Sequence, residues 1–139
     1  MNKGSKTTPS RLGAAIYPAI GLGVWLNGAV LFRMGGRALF ASGPAVAVLT
    51  GLGVAAAVCG VFRTTLSWRR ADPRNAVAIA ALMATPGLFA ESLRMLLLHP
   101  ATGLDPNQAA TFASVIFFGN GALFAYALAI QLSRAKAPL

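Results

Sequence analysis

Few side chains in this sequence could do chemistry, and they are scattered. The carboxylates are Asp72, Glu91 and Asp105, the one histidine is His99 and the one cysteine is Cys59. A paired-carboxylate site needs two acids at close range. Two of these three stand directly before a proline, as Asp72-Pro73 and Asp105-Pro106, where helix capping accounts for them. His99 has neither a second histidine nor a cysteine pair with which to hold a metal. Cys59 lies in the apolar run VAAAVCGVF, a setting for a small packing residue, and a single cysteine forms no internal disulfide. The stretch GLGVWLNG lacks the G-x-G-x-x-G spacing of a dinucleotide loop. No nucleophile with a base, no phosphate loop and no haem or zinc spacing can be assembled. The expectation is a protein that is not an enzyme and uses no cofactor or metal.

What remains is the segment TPGLFAESLRML, residues 85–96, which sets Glu91 and Arg94 three positions apart in an otherwise apolar run. At that spacing two side chains share a helix face and can pair. Arg33 is a competing partner for Glu91. Counting about 1.5 Å per residue from each helix start puts Asn27, Glu91 and Asn120 at comparable depth, with Thr50 close to that layer. Arg94 falls one turn nearer the outside, and Arg33 near the outer end of the first helix. Polar groups are costly in hydrocarbon, so these six should face the bundle interior and pair. They form the candidate intramembrane cluster, open to two readings. One is a structural ion pair, which need not stabilise strongly because desolvation offsets the Coulomb gain. The other is a functional proton or cation site, the usual meaning of an intramembrane charge.

The elements that must position these residues follow from composition. Of the 139 residues, 56% are hydrophobic and 11% charged, with a mean hydropathy of +0.65. Soluble domains carry about 25% charged residues. So few charges cannot cover a globule in water. Four apolar runs, about 12–32, 44–62, 75–98 and 109–132, are each long enough to cross a hydrocarbon core about 30 Å thick. Each follows a start signal: Thr8-Pro9, Ser42-Gly43-Pro44, Asp72-Pro73 or Asp105-Pro106. The first run is about 20 residues and lacks an A-x-A site, so a retained helix is expected rather than a cleaved signal peptide. The predicted fold is all-α, a single domain of four transmembrane helices in an up-down bundle with the lipid bilayer as its solvent.

The net charge of +9 could suggest nucleic acid, but the basic residues sit at span ends and form no soluble basic module. Lys3, Lys6 and Arg11 lie in the tail 1–11. Arg63, Arg69, Arg70 and Arg74 follow the second run, and Arg134 and Lys136 follow the fourth. The positive-inside rule then places both termini and the middle loop in the cytoplasm of a bacterial inner membrane. Trp68, beside Arg69, suits an interfacial anchor. Arg33 and Arg37 are expected in the first loop. The loop HPATGLDPNQ has no Lys or Arg, as a translocated loop should. Small residues recur as Gly21, Gly23 and Gly28, as Gly51-x3-Ala55 and Gly53-x3-Ala57, and as Gly121-x3-Ala125-x3-Ala129. Such stripes permit close helix approach, within one bundle or across a homodimer. Pro18 and Pro86, each followed closely by glycine, should kink the first and third helices and hint at a two-hairpin repeat.

The order Phe32-Arg33-x-Gly35, then Pro86-Gly87 with an acid shortly after, then Asp105-Pro106-Asn107, then Tyr126 resembles small four-helix bacterial membrane proteins grouped as domain of unknown function 5367. The resemblance covers about residues 21–132. The chain departs from it in a longer basic tail and in glutamate where aspartate is expected. The resemblance implies topology and no chemistry. Two functions follow as expectations: a structural or accessory subunit of a larger membrane complex or a self-associating bundle, or a small homo-oligomeric transporter or channel with Glu91 as its proton or cation site. Small multidrug exporters share the size, yet carry their acid in the first helix, where this chain has only Asn27.

Overall fold

The computed structural model describes residues 11–102 and 106–135. The tail 1–10 with Thr8-Pro9, the Asp105 cap and Lys136 lie outside the described residues, as do the side chains of Arg11, Arg37, His99 and Arg134. The fold is an all-α bundle of α1 (Arg11–Ala41), α2 (Pro44–Trp68), α3 (Ala76–Thr102) and α4 (Pro106–Ala135), with a 3₁₀ turn, Pro73–Asn75, ahead of α3. Each helix holds a stretch long and apolar enough to cross a membrane: Ala14–Gly36, Pro44–Trp68, Pro73–Leu97 (which includes the 3₁₀ turn) and Pro106–Ser133. Leu49, Phe89, Leu96 and Phe117 are all more than half exposed on the outer faces. Helices apolar around their whole circumference need lipid to cover them. The chain is a multi-pass membrane protein.

The helices outrun the expected spans. The predicted first loop does not exist, because α1 continues through Arg33 to Ala41 and leaves only Ser42 and Gly43 as the connection. No proline interrupts 33–41, and glycine alone is a weak helix breaker. Gly43 makes the turn with φ +97°, a conformation that costs glycine little. Ser42 does not cap α2, since its hydroxyl donates back to the Ala38 carbonyl at 2.7 Å. Pro44, which needs no amide partner, opens α2 instead. Helix α2 likewise runs past 62, carrying Arg63, and ends at Trp68. Arg70 adopts φ +48°, while Ala71 N–H donates to Leu66 O and Arg70 N–H to Ser67 O. That pair of bonds is a Schellman closure with arginine in the place usually held by glycine. Asp72 does cap, accepting the Arg74 amide at 2.9 Å. One further α3 start amide, Val77 N–H, donates to the Gln131 side chain of α4 at 3.2 Å. Pro18 and Pro86 both lie inside continuous helices.

Packing is like on like. Helix α1 lies along α3 and α2 along α4, α3 packs on α4, and the consecutive α1 and α2 touch only lightly. A Cβ on Gly21 would fall 1.8 Å from the Met83 carbonyl, and one on Gly87 would fall 3.1 Å from Trp25 Cβ. These glycines let α1 and α3 meet backbone to backbone. On the other pair, Gly119 faces Val54 and Gly51 faces Phe118. The core gathers at one end, around Phe62, Ala76, Ala80, Met83, Leu123 and Ala127, with Tyr17 packed against it. That shared core puts the start of α1, the end of α2, the start of α3 and the end of α4 on one side. Of the small-residue stripes, Gly51 and Ala55 turn inward, whereas Gly121, Ala125 and Ala129 face outward.

Candidate functional site

The polar cluster is built where α1 and α3 run parallel. Gly21 meets Gly87, and one turn further on Trp25 meets Glu91, the same 66 positions apart. The close approach at the glycines brings the indole within reach of the carboxylate, and Trp25 Nε1 donates to Glu91 Oε2 at 3.0 Å. From within α3, Arg94 closes the other side. Its Nε lies 3.1 Å from both carboxylate oxygens, and its Nη2 donates to Oε1 at 2.6 Å. The Glu91 side chain is 9% exposed and that of Arg94 24%. Charge-assisted, multidentate contacts of this kind are the strong class of hydrogen bond. The guanidinium in turn lies 5.1 Å from the Phe112 ring centroid of α4, within cation–π range. Phe112 meets Phe32 of α1 edge to face at 4.9 Å. Three helices are thereby joined through one ion pair.

Above the packed core the four helices enclose a cavity of about 820 Å³. Asn27, Thr50, Glu91 and Asn120 all line it. The depth count therefore did bring one polar group from each helix to one chamber. They do not pair with one another as expected. The Thr50 hydroxyl donates to the Val46 carbonyl and Asn120 Nδ2 to the Ile116 carbonyl, both within their own helices. Asn27 is exposed toward the cavity and makes no hydrogen bond to any described residue. Arg33 does not reach Glu91. It is exposed on α1, because the helix continues through it and turns it outward. The lining residues of α3 and α4, such as Met83, Gly87, Phe112 and Leu123, are buried, whereas Gly23, Asn27, Gly53, Ala57 and Val61 on α1 and α2 are exposed. The mouth of the cavity is thus the gap between α1 and α2.

Sequence reasoning missed Trp25 and Phe112. Trp25 had a legible signal, since it lies fourteen residues after Arg11 and Glu91 fifteen after Ala76 on parallel helices. An indole N–H at that depth needs an acceptor. Phe112 had none, because its role depends on α4 lying beside α3. Among the described residues, no three of His, Cys, Asp and Glu gather to hold a metal. Comparison with protein-family models, with curated proteins and with solved structures finds no match.

Proposed function

We propose that the protein is a non-catalytic accessory subunit of a bacterial inner membrane, serving a larger membrane complex or a second copy of itself, with both termini and residues 69–75 in the cytoplasm. One observation carries this reading. Both oxygens of Glu91 are taken by donors of the same chain, Arg94 and Trp25. A travelling cation would have to displace an arginine and an indole together, so the geometry supports a joint between helices. Membership of the family of domain of unknown function 5367 belongs to the same proposal, resting on its short motifs. The outward Gly121, Ala125 and Ala129 stripe offers a partner helix a close approach.

A second reading, a homo-oligomeric transporter, is favoured by the Glu91 wall position in a cavity of about 820 Å³. Proton and monovalent-cation flux into proteoliposomes decides between them. The expected result is no flux above empty vesicles for the parent or for Glu91→Gln. Flux in the parent that disappears in Glu91→Gln would overturn the accessory reading in favour of transport.

A further inference from the structure

We infer that the cavity between α1 and α2 is a binding site for an uncharged amphiphile drawn sideways from the bilayer, one with an apolar body and a single hydrogen-bonding head such as a hydroxyl or an amide. This inference does not depend on the accessory role. Its first support is that the walls are built to stay apart. Gly23, Gly28 and Gly53 line the cavity, yet a Cβ added at any of them would meet nothing within 4 Å. Elsewhere in the bundle, at Gly21 and Gly87, glycine brings helices into contact. Here the same residue widens a chamber.

The volume of about 820 Å³ lies in the range of small-molecule sites, roughly 300–1,000 Å³. A transmembrane helix is a poorer fit. On α2 the lining runs from Thr50 to Val61, and on α4 from Phe112 to Leu123, each about 17 Å of helix rise. A spanning partner needs about 30 Å. Only α1 lines the chamber for longer, from Ile20 to Leu39.

The polar groups set the class of head. Among the described residues, Glu91 is the one ionisable group on the wall, and Arg94 neutralises it. A charged head would find no free counter-ion among the described wall residues. Asn27 offers both a donor and an acceptor with no partner among the described residues, and Asn120 Oδ1 likewise has none among them while Nδ2 is engaged. Unmet amide groups at membrane depth are costly unless a partner arrives. A neutral head that both donates and accepts satisfies them. The apolar body would lie against Val54, Val58, Leu88 and Ile116, which also line the chamber.

Trp25 lines the same chamber and reports on it. The variant Trp68→Phe leaves Trp25 as the single tryptophan. We would titrate it in nanodiscs with a bromine-labelled fatty alcohol. The expected result is quenching that saturates, and that falls at least tenfold in affinity when Gly53→Leu or Gly28→Leu fills the chamber. Both variants point into open space, so circular dichroism should be unchanged. Asn27→Leu should weaken binding several-fold. A bromine-labelled alkylammonium should bind more weakly than the alcohol. Quenching that never saturates, or that Gly53→Leu and Gly28→Leu leave unchanged, would overturn the site. So would tighter binding of the alkylammonium lost in Glu91→Gln, which would make the chamber a cation path. A dimer in the parent that becomes monomeric in Gly53→Leu would give the chamber to a second copy instead.

Discussion

At the scale of single residues, Glu91 is held by geometry that forbids treating it alone. Removing it strands the Arg94 guanidinium and the Trp25 indole together, and breaking a buried pair costs about 3–5 kcal/mol. Arg94 retains 24% side-chain exposure, which lets it reach toward the interface and draws the expected loss toward the lower end. Glu91→Leu should therefore lower stability by about 3 kcal/mol, measured by thermal unfolding in detergent. The Glu91→Leu/Arg94→Leu double variant should recover most of this, since no charge remains unpaired. It should still fall short of the parent by about 1 kcal/mol, the lower end of the cost of an orphaned donor, for the indole N–H. If the double variant is no better than the single, the ion pair is not the linchpin of the α1–α3 joint. Spacing alone made Arg94 a candidate partner of Glu91, with Arg33 as the competitor, because three residues on a helix is a local relation. The third member, Trp25, is 66 positions away and needs the register of two helices.

Elements show a similar split between what is local and what is not. Prolines and polar caps located three of the described helix starts to within a few residues. Helix ends were misplaced, at 32 for Ala41 and at 62 for Trp68, because charged residues inside a helix look like loop when hydropathy is the guide. Arg33 and Arg63 at span ends keep their heads exposed while their backbones stay helical. Glycines raise the same problem in packing. Gly21 and Gly121 are alike as letters in a small-residue stripe, yet a Cβ at Gly21 would lie 1.8 Å from a carbonyl and one at Gly121 meets nothing. Gly21→Ala should force α1 from α3 and cost about 1–3 kcal/mol by overpacking. Gly121→Ala should be neutral or raise stability by a few tenths up to about 1 kcal/mol through helix propensity. Parallel chemical denaturation of the two variants checks this, and equal losses would refute the assigned contact.

For the whole molecule, the arrangement of helices decides what the charges and the cavity mean. The shared core of Phe62, Ala76 and Ala127 with Tyr17 sets Arg63, Arg69, Arg70 and Arg74 on the side where α1 starts and α4 ends. A reporter fused after Leu139 should then be active only in the cytoplasm, by the positive-inside rule, and a periplasmic signal would reverse the proposed orientation. The sequence by itself determined four membrane-crossing helices, most of their starts, Arg94 and Arg33 as the two candidate partners of Glu91, and the common depth of Asn27, Thr50, Glu91 and Asn120. All of these rest on hydropathy, on capping or on rise per residue, which act along a single helix. Only the tertiary structure decided that α1 lies on α3 and α2 on α4, that Trp25 clasps Glu91, that Arg33 stands apart, and that α1 and α2 part to leave a chamber. Those outcomes depend on which faces meet. In lipid, where apolar faces are equally content with solvent, that choice falls to a handful of glycine contacts and to the contacts of Trp25 and Phe112 with the Glu91–Arg94 pair rather than to the hydrophobic pattern.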